Sequence, residues 1–234
     1  MNLSQLFLLF MCYSIIGWLI EVIHVFLSSK KLINRGFLIG PYCPIYGFGG
    51  VLATITLTNY KDNVIILFVM SMFLFAVLEY FTSYLMEKLF KARWWDYSNS
   101  RFNINGRICL ETLVPFGLLG CLAIYVTNPC FNLLFSLVSP TVLRTIALIL
   151  FIFLTFDLCL SLRIINSFKN TTMSFLKKDN TEEITKKVRE ILLSKSILTR
   201  RLIEAFPKFK AAIGNISIDH IKTKLELKKL QKKD

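Results

Sequence analysis

The chain alternates long apolar stretches with short polar breaks, and the length of those stretches decides most of what it can fold into. Leu3–Leu27, Phe37–Thr58, Val64–Glu87, Cys109–Thr127 and Thr141–Leu162 each approach or exceed the roughly 20 residues an α-helix needs to cross a bilayer. Lipid offers no partners to an open strand, so such segments are expected to be helical. Composition agrees: of 234 residues 54% are hydrophobic and 21 are Phe, with mean hydropathy +0.56, which excludes an ordinary soluble globule. The expected fold is therefore all-α: a polytopic membrane protein of five transmembrane helices, ending in a basic helical tail.

The second segment departs from a clean helix. Within F-L-I-G-P-Y-C-P-I-Y-G-F-G-G (37–50) lie two prolines and four glycines, which predicts a broken or re-entrant start with the helix proper beginning near Tyr46. A neutral loop holding Pro129 and Pro140 is expected before the last span. Charge then orients the spans. Residues 1–162 hold 10 Lys/Arg against 7 Asp/Glu, and residues 163–234 hold 18 against 8. Lys30, Lys31, Arg35, Lys88, Lys91, Arg93, Arg101 and Arg107 fall in the loops after the first and third spans, on the same side as the tail. Lys/Arg excess stays cytoplasmic, so the N-terminus is expected outside and the C-terminus inside a cell membrane. The N-terminal span lacks a basic leader region and reads as retained, not as a signal peptide.

Residues 1–165 are thus expected to form the membrane domain and 166–234 a cytoplasmic tail. In the tail, Asn180 and Glu183 form a helix-start pair. Ile184, Val188, Ile191, Leu192, Leu198 and Leu202 follow helical spacing up to Pro207, and Ile218, Ile221, Leu225 and Leu230 mark a second amphipathic piece. Beside a membrane body, that basic character suits anionic lipid, so membrane lipids and not nucleic acid are the expected partner.

Five carboxylates lie in or at the edges of the spans: Glu21, Glu79, Glu87, Glu111 and Asp157. Under this topology all five occupy the cytoplasmic half. Each costs about 2.5–3.5 kcal/mol at a helix centre on insertion scales, so they should face the bundle interior and find partners. Arg35 and Arg107 are the candidate partners, through guanidinium forks that fit carboxylates. Glu87 and Asp157 lie near the interface, where reaching water is cheap, and read as structural. A substrate site is expected from Glu21, Asn34, Arg35, Tyr46, Glu79, Asn105, Arg107 and Glu111. Over it, the polar and aromatic run between Glu87 and Glu111 suggests a lid built on Trp94, Trp95, Asp96, Tyr97 and Asn103. His24 next to Glu21 is one of only 2 histidines, and the 6 cysteines form no C-x-x-C pair, so neither a metal, a disulfide framework nor another cofactor is expected.

The two halves echo each other. Asn34-Arg35-Gly36 precedes Pro44 and Tyr46-Gly47, while Asn105-Gly106-Arg107 precedes Pro115 and Phe116-Gly117. Acidic helix, basic loop and proline-broken return occur twice. Paired Gly/Pro-interrupted segments of this kind surround the central site of many transporters.

G-W-L-I-E (17–21), N-R-G-F-L-I-G-P-Y-C-P-I-Y-G-F-G (34–49), L-E-Y (78–80), M-E-K-L-F (86–90), R-W-W-D-Y-S (93–98) and F-N-I-N-G-R-I-C-L (102–110) together resemble the bacterial CmpB-type family of type IV ABC-transporter permeases. The similarity runs from about Tyr13 to Pro129, and R-L-I-E-A-F-P (201–207) also fits. The resemblance implies a transport component working with a separate ATPase subunit, since no G-x-x-x-x-G-K-[ST] phosphate loop is present. A homo-oligomer is a further reading. Two alternatives stay open: an intramembrane enzyme acting on a lipid at the inner leaflet, and a non-catalytic scaffold or sensor. No Ser-His-Asp grouping or metal motif supports catalysis.

Overall fold

A computed structural model describes residues 1–90 and 92–176, together with 201, 205, 206, 210 and 211. The two tail helices expected over 180–202 and 218–230 lie outside the described residues, Arg201 excepted. The described chain is helical apart from one two-residue strand pair. Its helices are α1 (Leu3–Ser29), α2 (Pro44–Leu57), α3 (Val64–Phe90), α4 (Leu110–Leu122), α5 (Asn128–Ser136) and α6 (Pro140–Leu176). A 3₁₀ turn, Thr58–Tyr60, follows α2, and a π-helical turn, Ala123–Thr127, joins α4 to α5.

Helix ends follow from local chemistry. Asn2 caps α1 by accepting from the Gln5 amide at 2.9 Å, and the Gln5 side chain accepts from the Asn2 amide at 3.0 Å, a reciprocal capping box. Lys30 ends the helix in the left-handed region at φ 56°, its amide donating to the Phe26 carbonyl. Proline opens α2 and α6 at the first helical position, where its missing N–H costs nothing. Asn63 caps α3 by accepting from the amides of Ile65 and Ile66, both at 3.1 Å.

Four helical stretches are long and apolar enough to cross a membrane: Leu3–Ser29, Val64–Phe90, Leu110–Ser136 and Pro140–Asn166. The protein is thus a multi-pass, all-helical membrane protein. The second segment is not among the four. With 14 residues, α2 rises about 21 Å at 1.5 Å per residue, short of a hydrocarbon core of about 30 Å. Its helix starts at Pro44, two residues earlier than expected. The fourth stretch runs to Ser136 instead of ending at Thr127, so Pro129 lies inside a helix and not in a loop. Proline is tolerated there because it sits in the first turn of α5. The last helix continues past Leu162 to Leu176.

The described chain divides into two compact units, Met1–Thr82 with Asp96–Arg163, and Ser83–Trp95 with Ile164–Asp234. In the first, small residues let helices touch backbone to side chain. A Cβ on Gly17 would meet the Tyr46 ring at 2.1 Å, one on Gly47 the Ser14 hydroxyl at 2.2 Å, and one on Gly50 the Tyr13 ring at 2.1 Å. These contacts seat α2 on α1. On the other hairpin, Gly117 abuts Phe68 and Gly120 abuts Ser71 in the same way. Leu8 with Leu143 and Ala147 joins α1 to α6, while Ala53, Leu57, Leu67 and Ile124 form a core shared by α2, α3 and the π turn. In the second unit, Trp94 is buried with its ring edge-on to Phe90 and Phe206, and strand β1 (Ala92–Arg93) pairs antiparallel with β2 (Lys210–Ala211).

Candidate functional site

The site is built on Glu21 of α1. Gly17 lies one helical turn earlier, and the missing Cβ there admits the Tyr46 ring from α2. Seated over that gap, the Tyr46 hydroxyl donates to Glu21 Oε1 at 2.8 Å. Arg35 Nε approaches Glu21 Oε2 at 3.5 Å, both side chains being partly buried. Arg35 is carried by a folded loop. Asn34 Oδ1 accepts from the Trp18 indole at 2.7 Å and from the Gly36 amide at 3.0 Å, and Asn34 Nδ2 donates to the Ile39 carbonyl at 2.9 Å. The Asn34 side chain is committed at both ends to shaping the loop that presents Arg35.

Glu79 of α3 supplies the second acid. The Tyr97 hydroxyl donates to its Oε1 at 3.1 Å. Its other oxygen, Oε2, is buried without a hydrogen-bond partner among the described residues. The two acids belong to one electrostatic neighbourhood: Glu79 interacts with Glu21, and both act on Tyr46 and Tyr97. Burial, and then the Glu79 carboxylate, push the Tyr97 pKa well up, so its hydroxyl keeps its proton and stays a donor.

Tyr97 is held by a compact hairpin. Its amide donates to the Gly106 carbonyl at 2.8 Å, and the Ile104 amide donates to the Ile108 carbonyl at 2.9 Å. Between them Asn105 and Gly106 have φ of 53° and 65°, the positive pair that an Asn-Gly type I′ turn requires. The Asn-Gly dipeptide is the strongest short-range hairpin signal in the loop. It marks this turn, which also carries Asn105 and Arg107 of the expected site. Asn103 braces the hairpin from within, accepting from the Gly106 amide at 3.0 Å and donating to the Ser100 carbonyl at 2.9 Å. Asn105 Nδ2 donates to the Tyr80 hydroxyl at 2.9 Å, and the buried Arg107 guanidinium lies 5.7 Å from the Tyr80 ring centroid.

Other expected site residues sit elsewhere. Glu111 is exposed in the first turn of α4, where a carboxylate complements the helix dipole, and among the described residues no hydrogen bond or ion pair joins it to Glu21 or Glu79. Asp96 accepts from the Ser98 amide at 3.1 Å and shapes its own turn. Trp94 and Trp95 belong to the second compact unit, whereas Asp96, Tyr97 and Asn103 belong to the first. Glu87 pairs with Arg93 at 3.1 Å within the second unit.

Two polar groupings went unanticipated. Asp157, read as an interfacial acid, is only 7% exposed and accepts four hydrogen bonds, from the Ile39 and Gly40 amides, the Tyr42 hydroxyl and the Ser161 hydroxyl. Nearer the other end of α1, the Tyr13 hydroxyl donates to Asn128 Oδ1 at 2.7 Å and lies 2.6 Å from the Thr127 hydroxyl. Thr54 reaches the same Asn128 oxygen at 3.1 Å. That grouping brings α1, α2 and the π turn together. An asparagine between two apolar stretches is its signal, obscured because Asn-Pro ordinarily marks a turn.

Fold and site together define a multi-pass helical membrane protein holding acids, tyrosines and arginines inside its helix bundle. Residues 8–162, more than half of the chain, match the family described as "Putative ABC-transporter type IV", and the chain belongs to that family. No curated protein and no solved structure matches it.

Proposed function

We propose that the protein is the membrane component of a transport system, and that Glu21 and Glu79 receive a solute or coupling cation from the cytoplasmic side. The observation that carries this reading is the buried Glu79 Oε2, without a hydrogen-bond partner among the described residues, beside Glu21, Tyr46 and Tyr97. A buried carboxylate oxygen without a donor costs about 1–3 kcal/mol or more, and a bound cationic or hydrogen-bond-donating group removes that cost. Intramembrane acids facing the protein interior are, in general, the marks of ion and proton paths. In this reading Arg35 neutralises Glu21 in the resting state and releases it when ligand arrives, while Tyr46, Tyr97 and Arg107 set the shape of the site.

The same reading places the N-terminus outside and the tail in the cytoplasm, following the Lys/Arg distribution. Non-helical residues 37–43 ahead of the short α2 support a broken, re-entrant second crossing, which makes the fifth membrane-embedded segment. Family membership supports a separate ATPase as partner. The basic tail meets anionic lipid, and the chain works as a homo-oligomer or as a pair with that ATPase.

Reconstitution tests this. Wild-type protein in liposomes is expected to move protons, Na⁺ or K⁺ down an imposed gradient, or to co-purify with a polypeptide bearing a phosphate loop. Glu79→Gln and Glu21→Gln should each lower flux by about 10-fold or more, the loss expected when a charged group that contacts the transported ion is neutralised. Protein that recruits no ATPase and moves none of the three ions would overturn the reading.

A further inference from the structure

The loop between α1 and α2 carries Arg35 at one end and leads into Tyr46 at the other, and both reach Glu21. Residues 37–43 are non-helical; the Asn34 side chain donates to the Ile39 carbonyl at 2.9 Å and the Cys43 amide to the Ser14 carbonyl at 2.8 Å. A further hold comes from far along the chain. Asp157 of α6 accepts from the Ile39 amide at 3.0 Å through Oδ1 and from the Gly40 amide at 2.7 Å through Oδ2. The Tyr42 hydroxyl also donates to Oδ2. Ser161, one turn further along α6, donates to Oδ1 at 2.9 Å and fixes the carboxylate rotamer. Backbone N–H groups converging on a carboxylate form an anion nest, and charge-assisted bonds of this type are about twice as strong as neutral ones.

We propose that Asp157 is the positioning residue of the Glu21 site: it clamps the 37–43 loop onto α6, so that Arg35 and Tyr46 reach the same carboxylate. It does so without touching Glu21, Arg35 or Tyr46. The assignment explains a buried acid that pairs with backbone and hydroxyl donors instead of a cation. It also makes the geometry at Glu21 depend on where α6 stands relative to the loop. The clamp rests on Glu21 being the working site, but the experiment that tests it does not.

Native cysteines report on it. Cys43, buried, ends the clamped loop, and Cys109, also buried, ends the hairpin that carries Tyr97. Alkylation of the purified full-length protein by N-ethylmaleimide, followed peptide by peptide in mass spectrometry, measures both at once. Asp157→Asn is expected to raise the Cys43 rate by about 10-fold or more, the factor implied by losing a charge-assisted hydrogen bond, and to leave Cys109 unchanged. Tyr42→Phe, which removes one donor and leaves the nest, should raise it by a smaller factor. Tyr42→Phe also serves as the second test if Asp157→Asn fails to fold. An unchanged Cys43 rate in these variants overturns the clamp, and so does a parallel rise at Cys43 and Cys109, which would mean general loosening. Flux separates the two readings. Asp157→Asn should lower transport with Glu21 intact, whereas a wild type without flux removes the transport reading and leaves the alkylation result to judge the clamp.

Discussion

The α1–α2 and α3–α4 hairpins are built on the same plan and differ at the acid. In each, a serine donates to the carbonyl one turn earlier at 2.7 Å, Ser14 to Phe10 and Ser71 to Leu67. In each, a glycine of the returning helix presses on that serine, Gly47 on Ser14 and Gly120 on Ser71. Two helical turns beyond the serine comes the acid, Glu21 or Glu79, and a tyrosine hydroxyl donates to it. The first acid has an arginine on its second oxygen. The second acid has that oxygen buried without a hydrogen-bond partner among the described residues, while Arg107 of its own loop lies over Tyr80. Shared packing with unequal charge compensation suggests a scaffold used twice, with one copy quenched and the other left open.

Overpacking gives the largest test of the shared scaffold. Gly47→Ala and Gly120→Ala each place a Cβ within 2.2 Å of a serine side chain and should cost about 1–3 kcal/mol, read as a fall in thermal unfolding temperature in detergent. Gly49→Ala, whose Cβ meets the Phe75 ring at 3.3 Å and Leu78 Cδ2 at 3.4 Å, should be close to neutral. A large loss in one hairpin and none in the other breaks the comparison.

The unequal acids give the next test, and here the sign is the prediction. Replacing Glu79 and Tyr97 together by Met and Phe removes an uncompensated carboxylate and its donor, so stability should rise by about 1 kcal/mol. The matching change of Glu21 and Tyr46 removes the carboxylate that Arg35 approaches at 3.5 Å and should lower stability by about as much, discounted for the partial exposure of the pair. Chemical denaturation of both double variants reads the difference. Equal signs would mean that the two acids are equivalent.

The smallest effect distinguishes the two loops. Gly106→Ala forces a side chain into φ 65° and should cost about 1 kcal/mol. Gly36→Ala meets ordinary backbone with neighbours at 3.2 Å, and a smaller cost is expected. Thermal unfolding of the pair shows whether the strained turn belongs to the second hairpin alone.

Much of the fold was legible because lipid imposes length: the apolar stretches that start at Leu3, Val64, Cys109 and Thr141 correspond to the four long helical stretches within a few residues at the start. The misreadings cluster where one local signal competes with another. Asn128-Pro129 reads as a turn in water, yet the π turn absorbs it and lets the helix continue, since proline at a helix start gives up no bond. At the site, Glu21, Arg35, Tyr46 and Glu79 could be singled out because charge in an apolar helix is costly and must be answered. The role of Asp157 could not, because its main partners are backbone amides that any sequence carries. The approach of Arg107 to the Tyr80 ring depends on a hairpin whose Asn-Gly turn sets where the guanidinium lands.

The gap at Gly17 has a consequence for life in a changing bilayer. Tyr46 rests directly on the α1 backbone, four residues from the acid it serves, so donor and acceptor are measured off one helix. When lipid chains lengthen or shorten, helices answer by tilting. A tilt of α1 carries Glu21 and Tyr46 together and leaves their 2.8 Å spacing unchanged. The Tyr46–Glu21 spacing is therefore gauged to the backbone of the α1–α2 hairpin, whereas the loop that carries Arg35 answers to α6.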